Sequence, residues 1–388
     1  MKILEGLRVI DAGQFNAGPI ASLYLAGYGA DVVKIERPGG EDSRAIGPFR
    51  GGESSYFMSL NRGKRSITVN LKSPGGCGVF KRLARGADVL IENYMPGVMD
   101  RLGVGWEELH AENPRLIYGA VSGFGTGGAG AARPAFDSLL QAAGGLISVT
   151  GPVGGPPVRA GVSIVDITSG LFLLSGILSA LWRRERTGEG CRVDASMLAS
   201  TVNIMENPVA RHSFTGEVPG PEGLSHPVVS PFSGYHTRDG LIFVAISNTN
   251  RYRVLVEALG RGDLAVDPRF AENRERVEND GALREVLEEI LKGRTTAEWE
   301  AFLIPKGVTV SAINDVAQVK EQFPEVFVEV DHPAAGPALL PGSPVAFGGG
   351  ELDFSRPAPS AGQHIGEILA ELGYPPGEIE ELGESGAV

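Results

Sequence analysis

The stretch LRVIDAGQFNAGPIASLYLAGYGADVVKIE, residues 7–36, carries the pattern that decides the fold. Leu7 to Asp11 and Asp31 to Glu36 are short apolar runs rich in β-branched residues, as buried strands are. Between them, Ala17 to Gly29 spaces its apolar residues as a helix does and ends on glycine, a common C-terminal cap. Ala87 to Glu92 and Leu116 to Val121 repeat the strand pattern, each with a helical stretch before it. Strands alternating with helices predict right-handed crossovers and a parallel sheet covered on both faces, an α/β architecture. The turn itself, DAGQFNAG at 11–18, lies where dinucleotide-binding folds place a glycine fingerprint, but Gly13 and Gly18 do not fit G-x-G-x-x-G. A nicotinamide cofactor is therefore disfavoured. The helix start can still offer backbone N–H groups to a phosphate or an adenine edge. A plain strand-to-helix turn explains the same residues.

At 388 residues the chain exceeds what one hydrophobic core usually serves, which predicts two domains. Residues 1–206 read as the first part of a large domain. Five prolines and three glycines mark 207–231 as a linker, and 232–320 reads as a small α+β domain. Within it, Arg238-Asp239-Gly240 supplies turn chemistry for a hairpin over Gly234 to Ser247. Helices are expected at Arg251 to Leu259, Arg274 to Leu291 and Thr296 to Leu303, then a strand at Val308 to Ile313. Residues 321–388 hold a second Pro/Gly-rich stretch, Pro333 to Gly350, a helix at Gln363 to Leu372 and an end expected to fray after Gly383.

The net charge of -12 predicts no nucleic-acid or anionic-membrane partner, so a polyanionic ligand needs a local basic patch. Basic residues do crowd the early chain, at Lys34, Arg37, Arg44, Arg50, Arg62, Lys64, Arg65 and Lys72. Two cysteines, Cys77 and Cys191, fit a reducing compartment, and the start does not resemble a signal peptide, so a cytoplasmic location is expected. The apolar run Ile164 to Trp182 contains Asp166 and several Ser, Thr and Gly residues, and reads as a buried core helix, not a membrane span.

Two segments suggest chemistry. In NRGKRSITVNLK, 61–72, clustered Arg62, Lys64 and Arg65, with Lys72 beyond, form the counter-charge that a diphosphate requires, although a solvated loop would look the same. In GVSIVDITSG, 161–170, Asp166 stands where a β-branched run breaks into the long apolar helix. It reads as an N-cap, and also as a carboxylate held ionised by the helix dipole and free N–H groups. Such an anion could exchange acyl groups without a cofactor, because a carboxylate attacking a thioester gives an anhydride. The six histidines form no metal-ligand pair and no Ser-His-Asp order, and no metal is expected. His226 sits in a Pro-bounded loop able to reach a site.

Six ordered blocks, DAGQFNAGP, VVKIERPGGEDSR, SSYFMSLNRGKRSITVNLK, ADVLIENYMPGVMDRLG, VSIVDITSG and RTGEGCRVDASM, together resemble the class III (CaiB/BaiF-type) CoA-transferase family, which includes formyl-CoA transferase. The resemblance covers nearly the whole chain. It implies a large Rossmann-like domain built from the N-terminal half and the C-terminal segment, a small domain between two linkers, and an interlocked homodimer. It implies that Asp166 is the nucleophile, forming an aspartyl anhydride and then an aspartyl-CoA thioester. It implies coenzyme A or acyl-CoA as substrate with no tightly bound cofactor. Coenzyme positions would be Phe15, Asn16, Ala17, Arg37, Val69, Lys72, Asn93, Tyr94 and Arg101, with Tyr56 near the acyl group. Arg44 and His226 are candidates to grip a distal carboxylate.

The α-methylacyl-CoA racemases share this fold but carry a histidine before the aspartate of the RPAFDSLL block. Phe136 stands there and cannot exchange a proton, so racemisation is disfavoured. The consecutive glycines of formyl-CoA transferase have no equivalent between 207 and 262, which argues against oxalate as acceptor. Small dicarboxylates with succinyl-CoA as donor are the expected substrates.

Overall fold

The computed structural model describes residues 2–127, 130–348 and 352–388. The chain divides into two compact units, one of Met1–Leu146, Arg159–Gly216 and Glu325–Val388, the other of Ile147–Val158 and Glu217–Pro324.

Among the described residues of the first unit, six strands form one parallel sheet: β1 (Arg8–Asp11), β2 (Asp31–Glu36), β3 (Arg65–Thr68), β4 (Val89–Glu92), β5 (Ile117–Ser122) and β6 (Cys191–Ser196). Their spatial order is β3-β2-β1-β4-β5-β6. The chain winds outward from β1 to β3, then returns to β4 on the other side of β1. The β1/β4 boundary is thus the switch point, where a crevice opens at the carboxyl ends of the strands. Apolar clusters cover both faces. One holds Val9, Ile91, Ile117 and Val121, the other Ile10, Ile35, Leu90 and Tyr118. That is the near-continuous apolar signature of a sheet buried on both sides.

Helix α1 (Ala17–Gly27) leaves β1, and the long helix α3 (Ile164–Thr187) crosses it. Gly170 makes the crossing possible: a Cβ there would stand 1.6 Å from Ile20 Cγ2 and 2.6 Å from the Ala17 carbonyl oxygen. Asp166 lies one turn earlier on the same face of α3, so the contact delivers it to the N-terminal end of α1. Gly170→Ala is expected to destabilise the protein by about 3 kcal/mol or more through overpacking. Its denaturation midpoint, set beside its residual turnover, measures this. Helix α3 is long and apolar enough to cross a membrane, yet it packs on α1, β5 and β6. Its burial is one-sided: Leu173 and Ile177 are fully covered, whereas Phe172 and Trp182 are exposed. The helix expected to belong to the core does pack on the sheet, but only one stripe of it is covered.

In the second unit, Phe232–His236 and Leu241–Ala245 form the expected hairpin, and Val310–Ala312 extends it. The helix expected over Arg274 to Leu291 breaks at Asn279 into Asn273–Glu278 and Asp280–Leu291. The segment expected as a linker from 207 starts instead as helix Glu206–Thr215, whose alanine and arginine outweigh Pro208 in its first turn. The Pro/Gly stretch after 333 contains strand Gly336–Pro341, paired with Phe327–His332, while Gly349 and Gly350 lie outside the described residues. The C-terminus is not frayed. Helix Pro376–Glu384 runs past Gly383, and the Ala387 carbonyl accepts from Asn70 N–H at 2.8 Å.

Candidate active site

Past the carboxyl ends of β1, β4 and β5 lies a solvent-open cleft of about 260 Å³. Phe15, Asn16, Ala17, Asn93, Tyr94 and Asp166 all line it, so six of the expected site residues are brought together.

The two turns that build its floor are stitched together. Asn93 accepts from Gln14 N–H at 2.7 Å and donates to the Gln14 carbonyl at 2.8 Å, and Gln14 Nε2 donates to the Tyr94 hydroxyl at 3.0 Å. These bonds hold Phe15 at φ 58°, a left-handed conformation that costs a non-glycine residue about 1–2 kcal/mol. Beneath the turn, Asp11 accepts from Gly13 N–H at 2.9 Å, Ser22 Oγ at 2.7 Å and Lys64 Nζ at 2.8 Å. Lys34 bonds the Gly13 carbonyl and pairs with Glu41 at 2.6 Å. Asp11, Lys34, Lys64 and Glu41 are all buried, so the turn stands on a closed charge network.

Asp166 differs from the expectation in both position and charge. Ser163 is the N-cap residue of α3, and Asp166 occupies the first turn. The N–H groups that were expected to hold its carboxylate go elsewhere. Asp137, buried on helix α2 (Asp137–Ala143), accepts from Val165 N–H at 2.8 Å and Asp166 N–H at 3.2 Å, and takes a third bond from Gln141 at 2.6 Å. Half-buried and beside a second carboxylate, Asp166 is pushed up to about 7, chiefly by loss of hydration and then by the charge of Asp137. At neutral pH it is poised between acid and anion. Tyr56 feels the same charge: burial first, then Asp166, raises its phenol to about 12.

Two buried polar atoms in the cleft have no hydrogen-bond partner among the described residues, Asn16 Oδ1 and Ser122 Oγ. Each such group costs about 1–3 kcal/mol until water or a ligand satisfies it. Ser122, Asp137 and Arg133 were missed as site residues, because strand end, neighbouring helix and loop meet only in the fold.

The other expected residues lie away from the cleft lining. Val69 is buried, its N–H on the Glu36 carbonyl at 2.7 Å, whereas Lys72 and Arg101 are exposed. Arg37 pairs with Asp42 at the surface. Arg44 is corrected from a carboxylate grip to a structural residue: it forks onto Glu36 at 2.6 and 2.8 Å, donates to Pro359 O and covers the Phe57 ring. The anticipated phosphate platform is likewise consumed. Lys64 serves Asp11, Arg65 pairs with Asp31, Glu367 and Glu371, and Arg62 donates to the Pro341 carbonyl. His226 belongs to the second unit, where its ring lies 5.3 Å from that of Phe232 and its Nδ1 accepts from Val228 N–H.

The model of "CoA-transferase family III" matches residues 4–365. Acetyl-CoA:oxalate CoA-transferase of Acetobacter aceti is 39% identical over 96% of each chain. Succinyl-CoA:glutarate CoA-transferase of Mus musculus is 35% identical over the whole of this chain and 91% of its own. The crystal structure of a CAIB/BAIF family protein from Brucella suis superposes with a TM-score of 0.84 at 36% identity, covering 95% of this chain and 99% of that one. A switch-point cleft holding a desolvated carboxylate and full-length likeness to enzymes of one kind lead to the same conclusion: the chain belongs to CoA-transferase family III and is a CoA-transferase.

Proposed function

We propose that this enzyme moves CoA from succinyl-CoA to a small dicarboxylic acid, with Asp166 as covalent carrier. The observation that carries the reading is Asp166 itself, a carboxylate raised to about 7 in a largely apolar cleft and the nucleophile position of the family resemblance. Its oxygen attacks the thioester carbonyl, the C–S bond breaks, and an acyl-aspartyl anhydride and CoA thiolate result. The thiolate attacks the Asp166 carbonyl, releasing the donor acid and leaving an aspartyl-CoA thioester. The acceptor carboxylate then attacks that thioester, and the second anhydride is opened by thiolate to give the new acyl-CoA. Desolvation favours each step, since an anion stripped of water is the stronger nucleophile and the anhydride survives only where water is scarce.

The unsatisfied Asn16 Oδ1 and Ser122 Oγ suit the amides of the coenzyme's arm, which offer both donors and acceptors. Phe15, Ala17, Asn93 and Tyr94 would flank that arm, with Arg37, Val69, Lys72 and Arg101 toward the adenine and phosphates and Tyr56 toward the acyl group. The relatives named for oxalate and glutarate both carry a dicarboxylate in their names, which supports that acceptor class and returns oxalate to the candidates. We assign the exposed stripe of α3, with Phe172 and Trp182, to a second copy of this chain in an interlocked homodimer, and place the enzyme in the cytoplasm.

A panel of mono- and dicarboxylic acids offered with succinyl-CoA and read by mass spectrometry tests the substrate class. Dicarboxylyl-CoA products are expected to dominate; exclusive formation of monocarboxylyl-CoA would overturn it. Racemisation is disfavoured in this reading, because Phe136, which lines the cleft, stands where the resemblance places the proton-exchanging histidine. Deuterium entering Cα of an α-methylacyl-CoA in D2O would reverse that judgement.

A further inference from the structure

The cleft's most exposed apolar group has no part in the reaction just derived. Phe136, at 66% exposure, stands beside Asp137 and meets the ring of Phe15 edge-on, with centroids 6.3 Å apart and planes at 86°. Both rings line the cleft that holds Asp166. Phe15 is the one non-glycine residue with positive φ among the described residues, and the Gln14–Asn93 bonds hold it there. A strained backbone that brings one aromatic ring against another, in the lining of a cleft, points to a function for the pair.

We propose that Phe15 and Phe136 form an aromatic gate that keeps water from the Asp166-bound intermediates, and so sets the ratio of transfer to hydrolysis. The inference rests on the aspartyl-carrier mechanism above. The reaction it suppresses is hydrolysis of the aspartyl-CoA thioester. Water oxygen adds to the Asp166 carbonyl carbon and the C–S bond breaks with its electron pair on sulfur. One water proton ends on the thiol, the other passes to solvent, and the Asp166 carboxylate is regenerated. Acceptor carboxylate and water compete for the same carbon, and concentrated water wins unless the surroundings exclude it. An edge-to-face pair of phenylalanines is a wall of that kind, offering no hydrogen bond to a passing water.

The test uses succinyl-CoA with 13C-labelled succinate, an exchange that needs no knowledge of the natural acceptor. Labelled succinyl-CoA measures transfer and free thiol measures hydrolysis. Phe136→Ala is expected to lower the transfer-to-hydrolysis ratio by about tenfold, and Phe136→Leu to restore most of it. Because the ring is exposed, its truncation leaves the core intact, and a thermal melt of each variant verifies this. An unchanged ratio in Phe136→Ala, with the Asp166 adduct still trapped by hydroxylamine, overturns the gate alone. Absence of any Asp166 adduct in a native enzyme that still exchanges label overturns the carrier mechanism, and the gate with it.

Discussion

Asp166→Ala abolishes CoA exchange, by about 10⁴-fold or more, and the inactive protein is more stable than the native one at pH 8. The first half follows from chemistry: the other carboxylate among the described residues of the cleft, Asp137, spends its oxygens on Val165, Asp166 and Gln141. The second follows from linkage. The carboxyl of Asp166 titrates at about 7 in the fold against an ordinary 3.8, so between those values the folded state holds a proton that the unfolded chain has lost. Stability contributed by this group is therefore fully present below pH 4, falls as pH rises toward 7, and stays low above it. The displacement corresponds to about 4 kcal/mol at most. Relief through Asp166→Asn is expected to raise the melting temperature by about 2–5 °C at pH 8 and by much less at pH 5. Differential scanning fluorimetry across that range reads both values, and an equal shift at the two would refute the linkage.

The second large effect concerns Asp137. Native kcat/KM is expected to rise with pH through about 7, because only ionised Asp166 attacks. Asp137→Asn removes the neighbouring charge while keeping an oxygen for the Val165 and Asp166 N–H groups. The acid limb then moves toward lower pH but stays above the ordinary carboxylate range, because desolvation is the larger cause. The new amide opposes the Gln141 amide, whose own oxygen is committed to Ala160 N–H at 2.9 Å, so about 1 kcal/mol of stability is lost. Asp137→Ala leaves the α3 N–H groups orphaned and costs more, about 2–4 kcal/mol, with the loss of kcat that follows from a displaced nucleophile. A pH profile that does not move in Asp137→Asn would exclude carboxylate–carboxylate coupling.

Much of the fold was legible because its signals are local. Residues 7–36 announce strand, helix and strand, and the hairpin around Arg238-Asp239-Gly240 carries its own turn chemistry. The site was legible where a motif is contiguous, as at Phe15 to Ala17 and Asn93 to Tyr94. Charge was not. A sequence does not reveal that Lys64 is drawn under Asp11, that Arg44 closes on Glu36, or that Arg65 meets Glu367 and Glu371 from the far end of the chain. Nor could it show that Asp137 takes the N–H groups meant for Asp166, which turns an expected stabilised anion into a carboxyl poised near neutrality. Gly170 looked like any small residue in an apolar helix until α1 was found within 2.6 Å of its missing Cβ.

The carrier role of Asp166 is tested most directly by incubating the enzyme with succinyl-CoA alone, quenching, and mapping the protein by mass spectrometry. CoA joined as a thioester to the peptide bearing Asp166, and converted by hydroxylamine to the hydroxamate there, is the predicted result. Turnover without any modification of that peptide, or a CoA adduct on a different side chain, would contradict it.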